Sequence, residues 1–97
     1  NNYIAKINRI KQIYTKDMEK LKILNSNAVY RIMPAIMRQI VFTKKEIEEE
    51  SGVSRNTVST LIDKLVELDI LVPDSNYAKL AYRYNEIYNV FIGKDMT

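Results

Sequence analysis

The 97-residue sequence contains neither cysteine nor histidine. The absence of cysteine excludes disulfides and thiolate metal sites, and the absence of histidine removes the commonest general base and metal ligand. Because no nucleophile–base pair or metal cluster is visible, we expect this segment to be neither an enzyme nor a cofactor carrier. The longest apolar runs are only a few residues, too short for a membrane span or a signal peptide, so we expect a cytoplasmic location.

The net charge of +3 is mild, and its distribution along the chain is more informative. Residues 1–25 carry six cations and two carboxylates, +6 − 2 = +4, whereas residues 54–72 carry two and three, +2 − 3 = −1. The excess positive charge therefore lies in the N-terminal segment. A chain of this length suits one small domain with an appended helix. It begins without methionine, so we expect a piece of a longer protein, with processing of a natural N-terminus as the alternative.

The N-terminal segment is predicted to be an amphipathic helix over residues 3–24. Its apolar side chains recur at spacings of three and four: Ile4, Ile7, Ile10, Tyr14, Met18 and Leu21. We interpret residues 1–25 as the tail of an upstream helical domain. Phosphate binding and dimerisation are alternatives, but the apolar stripe favours packing.

A second helix is predicted over residues 28–38, capped from the break at residues 25–27. Its predicted buried face consists of Val29, Ile32, Met33, Ile36 and Met37. Pro34 lies inside this helix, where proline removes a backbone donor. We therefore expect a kink there, or two short helices meeting at Met33.

The central segment has strong local signals. Residues 40–42 are apolar and β-prone, and Thr43 with Glu46 forms a predicted capping box for a short helix that Gly52 ends. Ser54 is predicted to cap the next helix, which runs to about Leu68. The side chains predicted to face the core from this helix are Val58, Leu61, Ile62, Leu65, Val66 and Leu68.

The C-terminal segment is predicted to contain a β-hairpin and a last short helix. Residues 70–72 form one strand and residues 73–76 a turn, and a second strand starts at Lys79. Alternation predicts that Leu80, Tyr82 and Tyr84 share the buried face. Asn85 is predicted to cap the last helix, with three apolar side chains inward and an end at Gly93. The inward set is Ile87, Val90 and Phe91.

This order of elements predicts a winged helix-turn-helix over residues 40–84, in a domain of residues 26–97. The fold class is mainly α with a small β-hairpin, preceded by the amphipathic helix. Two positions depart from the usual pattern. Glu48 stands where a small residue is common, so we expect splayed helices or a carboxylate reaching solvent. Asp69 replaces the usual glycine before the first wing strand, and aspartate tolerates the left-handed conformation.

The fold predicts double-stranded DNA as the partner, with the helix from Ser54 in the major groove. The candidate base readers are Arg55, Asn56, Ser59 and Thr60, because arginine pairs with guanine and asparagine with adenine. The candidate phosphate contacts, beside Ser54 at the helix start, are Thr57, Lys44, Lys45 and Lys64. The wing residues Asn76, Lys79 and Arg83 are candidates for a minor groove or a phosphate. The alternative is an ordinary polar surface, and the acidic residues Glu48, Glu49 and Glu50 count against tight binding unless they point away.

The tyrosines near the C-terminus allow a base-stacking interpretation, but packing on strand and helix is the commoner role. These tyrosines are Tyr77, Tyr82, Tyr84 and Tyr88.

The chain also resembles one particular setting, the C-terminal domain of Fic-family proteins. The matching letters are Val41-Phe42-Thr43, then Gly52-Val53-Ser54 with Thr57, then Leu65 with Ile70-Leu71, and finally Tyr82, Arg83, Tyr84 and Tyr88. The resemblance implies a parent protein with AMP-transfer activity. The family's catalytic loop, H-P-F-x-x-G-N-G-R, is absent, so that chemistry cannot reside in these residues.

Three hypotheses follow from these patterns. The first is a DNA-binding winged helix module that regulates a Fic-type AMP-transferase and packs on its upstream Fic domain. The second is a winged helix for protein interaction or autoregulation that does not bind DNA. The third is a free-standing transcription regulator that dimerises through residues 3–24. The start of the helix at Ser54 favours the first, and the near-neutral face of that helix favours the second.

Overall fold

The computed structural model describes residues 2–94. In chain order the elements are α1 (Asn2–Leu21), a 3₁₀ turn (Lys22–Leu24), α2 (Val29–Gln39), β1 (Val41–Thr43), α3 (Lys44–Ser51), α4 (Arg55–Glu67), β2 (Leu71–Pro73), β3 (Ala81–Tyr84) and α5 (Asn85–Phe91). This order confirms the predicted fold class, a mainly helical winged helix with a long helix in front. No helix within residues 2–94 is long and apolar enough to cross a membrane.

The three strands form one antiparallel sheet in the spatial order β1-β3-β2. Arg83 of β3 lies opposite Val41 on one side and Val72 on the other, so β3 joins the wing to the strand before α3. The predicted first strand, residues 40–42, is wrong by one residue. Ile40 has a φ of 66°, and its N–H donates to the Ile36 carbonyl at 2.7 Å, so this residue still belongs to the end of α2.

α1 packs against the winged helix and shares its core. Ile13 and Leu21 are 0% and 2% exposed, and α1 lies along α5. The predicted stripe is wrong at its N-terminal end, because Ile4 is 56% exposed. It also missed Asp17, which is fully buried and faces the same core. The apolar side of α1 from Ile13 onward therefore has its packing partner within this chain.

α2 is one continuous helix through Pro34, so the alternative of two short helices at Met33 is wrong. Burial of the side chains around the proline offsets the lost backbone donor. The buried side chains of α2 are Val29, Ile32, Met33, Ala35 and Ile36. The predicted side-chain cap from residues 25–27 is wrong as well. Ala28 occupies the N-cap, and the Val29 and Tyr30 amides donate instead to backbone carbonyls of the preceding turn.

The turn between α3 and α4 matches its prediction. Thr43 and Glu46 form both hydrogen bonds of the capping box, and Gly52 ends α3 with a φ of 72°. A Cβ on Gly52 would lie 3.0 Å from Arg31 Nη2, which donates to the Ser51 carbonyl at 3.0 Å. The positive φ thus favours glycine here, whereas the Arg31 guanidinium is the end of an exposed, flexible side chain and can shift.

The predicted alternation in the second wing strand is correct for Tyr84, which is fully buried, but wrong at the start of the strand. β3 begins at Ala81, which is buried, while Leu80 is 75% exposed. The reason is the turn before it: the Asp74 carboxylate accepts from the Asn76 amide at 3.1 Å, and the Asp74 amide donates to the Ala81 carbonyl at 2.9 Å. Residues 75–80 therefore form turns, and strand pairing starts two residues later than predicted.

Two predictions about α5 are also corrected. Tyr84, not Asn85, is the N-cap, and it makes no side-chain capping bond. Phe91 was predicted inward but is 55% exposed, because it lies on the last turn of a seven-residue helix, while Ile87 and Val90 are buried. Gly93 follows the helix with a φ of 77°, as predicted. Asp69 adopts the left-handed conformation with a φ of 61°, which confirms that prediction.

Candidate nucleic-acid interface

α4 is an amphipathic helix with one buried and one solvent-facing side. Its 13 residues extend about 20 Å at ~1.5 Å per residue. The buried side consists of Val58, Leu61, Ile62 and Leu65. The opposite side presents most of the predicted readers: Arg55, Asn56, Thr60 and Lys64 are exposed, and Ser59 is half-buried. The structure thus places this predicted set on one accessible face of one helix.

The start of α4 has no side-chain cap. Ser54 is at the N-cap position, as predicted, but its hydroxyl donates to Thr57 Oγ1 at 3.1 Å and makes no capping bond to the backbone. The first-turn amides of α4 therefore lack the acceptor that a capping serine supplies.

Two open grooves flank α4. The groove on the α3 side has a volume of about 360 Å³ and is lined by Lys44, Lys45, Glu48, Arg55, Val58 and Ser59. The groove on the other side has a volume of about 380 Å³ and is lined by Leu24, Ser26, Asn56, Thr57, Thr60, Leu61 and Lys64. The outer face of α4 therefore forms a ridge between the two grooves.

Three of the predicted phosphate contacts meet in a cleft between α3 and the wing. Lys44, Lys45 and Lys79 line it, together with Thr43, Leu80 and Tyr82, around a volume of about 450 Å³. Lys44 Nζ also lies 5.8 Å from the centre of the Tyr82 ring, within range of a cation–π contact. We call these three side chains the lysine cleft. It adjoins the groove on the α3 side, because Lys44 and Lys45 line both.

Most cations of the α4 face are paired with carboxylates. Arg55 Nε lies 3.3 Å from Glu48, and Lys64 Nζ lies 3.6 Å from Glu67. Lys44 Nζ donates to Ser59 Oγ and to Asp63 Oδ1, both at 2.9 Å. Exposed pairs of this kind contribute only about 0–1 kcal/mol each, so a phosphate or a base can bind the cation, beside the carboxylate or in its place, at small cost.

Two of the acidic side chains of α3 point away from α4. Glu50 is bound by Arg38 and Gln39 of α2, and these hydrogen bonds, that of Gln39 first, lower the pKa of Glu50. Glu46 accepts from the Tyr77 hydroxyl at 2.7 Å and from the Thr43 amide at 2.8 Å, which together lower its pKa. Both carboxylates therefore form their hydrogen bonds with groups outside the α4 face.

Glu48 behaves differently from both expectations for it. Its side chain is 26% exposed, so it does not reach fully into solvent, and α3 and α4 remain closely packed. Its carboxylate spans the turn and pairs with Arg55 at the start of α4. Sequence reasoning missed this pair because the two residues are seven apart and lie on different helices.

Arg83 lies apart from the other predicted contacts. Its guanidinium donates to Asn85 Oδ1 at 3.1 Å, lies 3.7 Å from Asp74, and stacks 4.7 Å above the Tyr88 ring. These partners belong to the wing and to α5. The residue is half-buried at the middle of the sheet, so it stiffens the base of the wing.

The whole surface is close to neutral. The lysine cleft, Arg55 and Lys64 supply five positive charges, and Glu48, Asp63 and Glu67 supply three negative ones, +5 − 3 = +2. Lys45 and Lys79 are exposed, and within residues 2–94 neither has a carboxylate partner. These two lysines are thus the cations most available to a phosphate.

Comparisons of the chain with protein-family models, with curated proteins and with solved structures found no match in any of the three.

Proposed function

We propose that this chain is a DNA-binding module that places α4 in the major groove of duplex DNA. The observation that carries the proposal is the exposed α4 face, which stands between two open grooves with the lysine cleft beside it. A major groove about 12 Å wide admits a helix whose flanks are free. The lysine cleft then lies where the backbone of one strand passes, and Lys79 extends that contact to the wing.

The exposure of each side chain indicates whether it contacts a base or a phosphate. Arg55, Asn56 and Thr60 face outward from the first two turns of α4, where side chains reach base edges. Lys45 and Lys79 contact phosphates and contribute affinity without sequence preference. Ser59 is bound to Lys44, so it orients that lysine in the free protein.

A salt titration tests the proposal. Affinity for a random-sequence duplex is measured between about 50 and 200 mM salt, for the wild type and for Lys45→Ala/Lys79→Ala. Each lost phosphate contact reduces the slope of log K against log salt by about 0.9, so we expect a reduction of about 2. The matched control is Lys6→Ala/Lys11→Ala, which removes two exposed lysines from α1 and lines none of the grooves.

The outcomes separate the alternatives. If Lys45→Ala/Lys79→Ala keeps the wild-type slope and Lys6→Ala/Lys11→Ala reduces it, the phosphate contacts lie on the basic side of α1. Unchanged binding in both Arg55→Ala and Asn56→Ala, measured on a selected sequence, would contradict the assignment of α4 as the reading helix.

A second function is favoured by one observation, the pairing of Arg55, Lys44 and Lys64 with carboxylates on the same face. A mixed-charge surface of this kind suits a protein partner with complementary charges. In that case the module regulates through protein contact and binds no duplex even at about 50 mM salt.

For the parent protein we propose a cytoplasmic Fic-type AMP-transferase, with this module as its C-terminal regulatory domain and transcription as the regulated process. The support is the motif resemblance at Val41-Phe42-Thr43 and Gly52-Val53-Ser54 and the tyrosine-rich end. Reading the gene upstream of Asn1 tests it. A histidine-bearing loop of the form H-P-F-x-x-G-N-G-R supports the proposal, and a reading frame without it contradicts it.

A further inference from the structure

Glu48 and Arg55 form an asymmetric pair across the helix-turn-helix. Glu48 is on α3 and its side chain is 26% exposed, whereas the Arg55 side chain, at the first position of α4, is 83% exposed. The Glu48 side chain is thus mostly shielded from solvent, while the Arg55 guanidinium projects into solvent. The groove that contains both is also lined by Val58 and Ser59 of α4.

The hydrogen bond uses the inner nitrogen of the guanidinium. Arg55 Nε donates to Glu48 Oε2 at 3.3 Å. A guanidinium has five N–H donors in a rigid fork, so this bond leaves the four on Nη1 and Nη2. Across residues 2–94 the guanidinium has no other hydrogen-bond acceptor. The two terminal nitrogens are the ones that bind guanine O6 and N7 in a bidentate contact.

We propose that Glu48 is a positioning residue that holds Arg55 as a reader of guanine in the major groove. This inference rests on the proposed function and adds the base class that the site recognises. The Nε bond restricts a long flexible side chain before DNA arrives, which reduces the entropy lost on binding. It also favours orientations in which the two terminal nitrogens face away from Glu48, and a base edge with two acceptors suits that arrangement.

The charge of Glu48 has the opposite effect on binding that ignores sequence. A carboxylate at the groove repels phosphates, so it weakens attraction to any duplex. Removal of Glu48 is therefore expected to strengthen random-sequence binding while it weakens the preference for guanine. If Glu48 acted only as a repulsive charge, its removal would strengthen random-sequence binding and leave the preference for guanine unchanged.

The experiment begins with selection of bound sequences from a library of random duplexes by the wild-type chain. Affinities are then measured for the selected duplex and for one with the Arg55-dependent G·C pair replaced by A·T. We expect Arg55→Ala to abolish the discrimination at that position, which is roughly tenfold or more for a bidentate pair. We expect Glu48→Ala to lose most of it and to bind random duplex more tightly.

Two further variants separate position from charge. Glu48→Gln keeps an acceptor for Nε and loses the charge, so it retains discrimination while random-sequence affinity rises. Glu49→Ala removes a neighbouring exposed carboxylate of α3, so it raises random-sequence affinity and leaves discrimination at the wild-type value. Thermal unfolding of each variant confirms that the compared chains are folded.

Full discrimination in Glu48→Ala would overturn the positioning role and leave the proposed function intact. Equal losses in Glu48→Ala and Glu48→Gln would overturn it too, because they assign the effect to charge or helix packing. A selected site with no guanine dependent on Arg55 also overturns it. The absence of binding to any duplex contradicts the proposed function as well as this inference.

Discussion

Two carboxylates, Asp17 and Glu48, each accept a hydrogen bond across an interface between elements, and their surroundings differ completely. Asp17 joins α1 to β3: it is 0% exposed and accepts from the Tyr84 hydroxyl at 2.6 Å. Glu48 joins α3 to α4 and binds an arginine that is 83% exposed. A buried pair cannot be replaced by water without large cost, whereas an exposed pair can exchange its partner. The first contact therefore belongs to the fold, and the second is free to serve recognition.

The Asp17 contact is incomplete as well as buried. Its second oxygen, Oδ1, has no hydrogen-bond partner within residues 2–94, and the nearest cation, Lys20 Nζ, is 4.0 Å away. Burial raises the pKa of this carboxyl most, although the Tyr84 hydrogen bond opposes that shift. Burial also raises the pKa of the Tyr84 hydroxyl far above its usual value, so Tyr84 stays protonated and donates to the ionised Asp17 carboxylate.

The largest expected effect is on Tyr84. Tyr84→Phe leaves a buried carboxylate without its donor, and we expect the free energy of unfolding to fall by about 3 kcal/mol, as for loss of a buried bond to a charged group. Urea unfolding measures it. The matched variant is Tyr77→Phe, which removes an exposed bond to Glu46 and is expected to cost much less. Similar losses in the two variants would remove the distinction between the two kinds of contact.

The two carboxyl environments also predict opposite dependences of stability on pH. The raised pKa of Asp17 means that this carboxyl binds its proton more readily in the folded state than in the unfolded state. The contribution of Asp17 to the free energy of unfolding therefore falls as the pH rises from about 4 toward the raised pKa. The lowered pKa of Glu46 means that its contribution is present above its unfolded pKa and is lost as pH falls through the folded one.

We therefore expect the stability gained by Asp17→Asn over the wild type to increase with pH above about 4. For Glu46→Gln, we expect the stability lost relative to the wild type to increase with pH. Unfolding measured from acidic to neutral pH gives both differences. The groups that act on Asp17 from other elements are Tyr84 and Glu86, and those of α1 are Lys16 and Lys20. A flat difference for Asp17→Asn would show that Asp17 titrates as it does in the unfolded chain.

The sequence predicted the helix-turn-helix well because its signals are local. The capping box at Thr43, the positive φ at Gly52 and the apolar spacing of α4 each involve neighbours within four residues. The contacts that were missed are between distant residues: Asp17 and Tyr84 are 67 residues apart. Leu80 was misplaced because the Asp74 amide donates to the Ala81 carbonyl, seven residues further on, and this contact decides where β3 begins.

For the candidate site, the sequence predicted which side chains face outward but not what they bind in the free protein. Exposure of Arg55, Asn56 and Lys64 follows from helical spacing alone. The pairing of Arg55 with Glu48 and that of Lys44 with Asp63 depend on how α3 crosses α4, whereas Lys64 and Glu67 are three residues apart on α4 itself. DNA binding by this face stays a prediction.

A smaller effect is expected at the two helix starts that frame the site. Thr43→Ala removes a capping box, and we expect a loss of about 1 kcal/mol in the free energy of unfolding. Ser54→Ala at the corresponding position of α4 is expected to cost only a few tenths of that, since its hydroxyl makes no capping bond to the backbone. Chemical unfolding of the two variants compares them directly. An equal loss in both would mean that Ser54 does cap α4 in solution.

The smallest effect on stability, and the clearest on binding, is expected at Asp63. Asp63→Asn weakens an exposed pair with Lys44, so unfolding should change by less than about 0.5 kcal/mol. Because Asp63 is an acidic residue on the α4 face, its neutralisation frees Lys44 and removes repulsion of phosphates, and duplex affinity rises. Glu19→Gln is the matched control, since the Glu19 side chain is as exposed as that of Asp63 and pairs with Lys22 of the 3₁₀ turn, away from the α4 face. If both variants raise affinity equally, only the total charge of the chain matters, and the α4 face loses its special position.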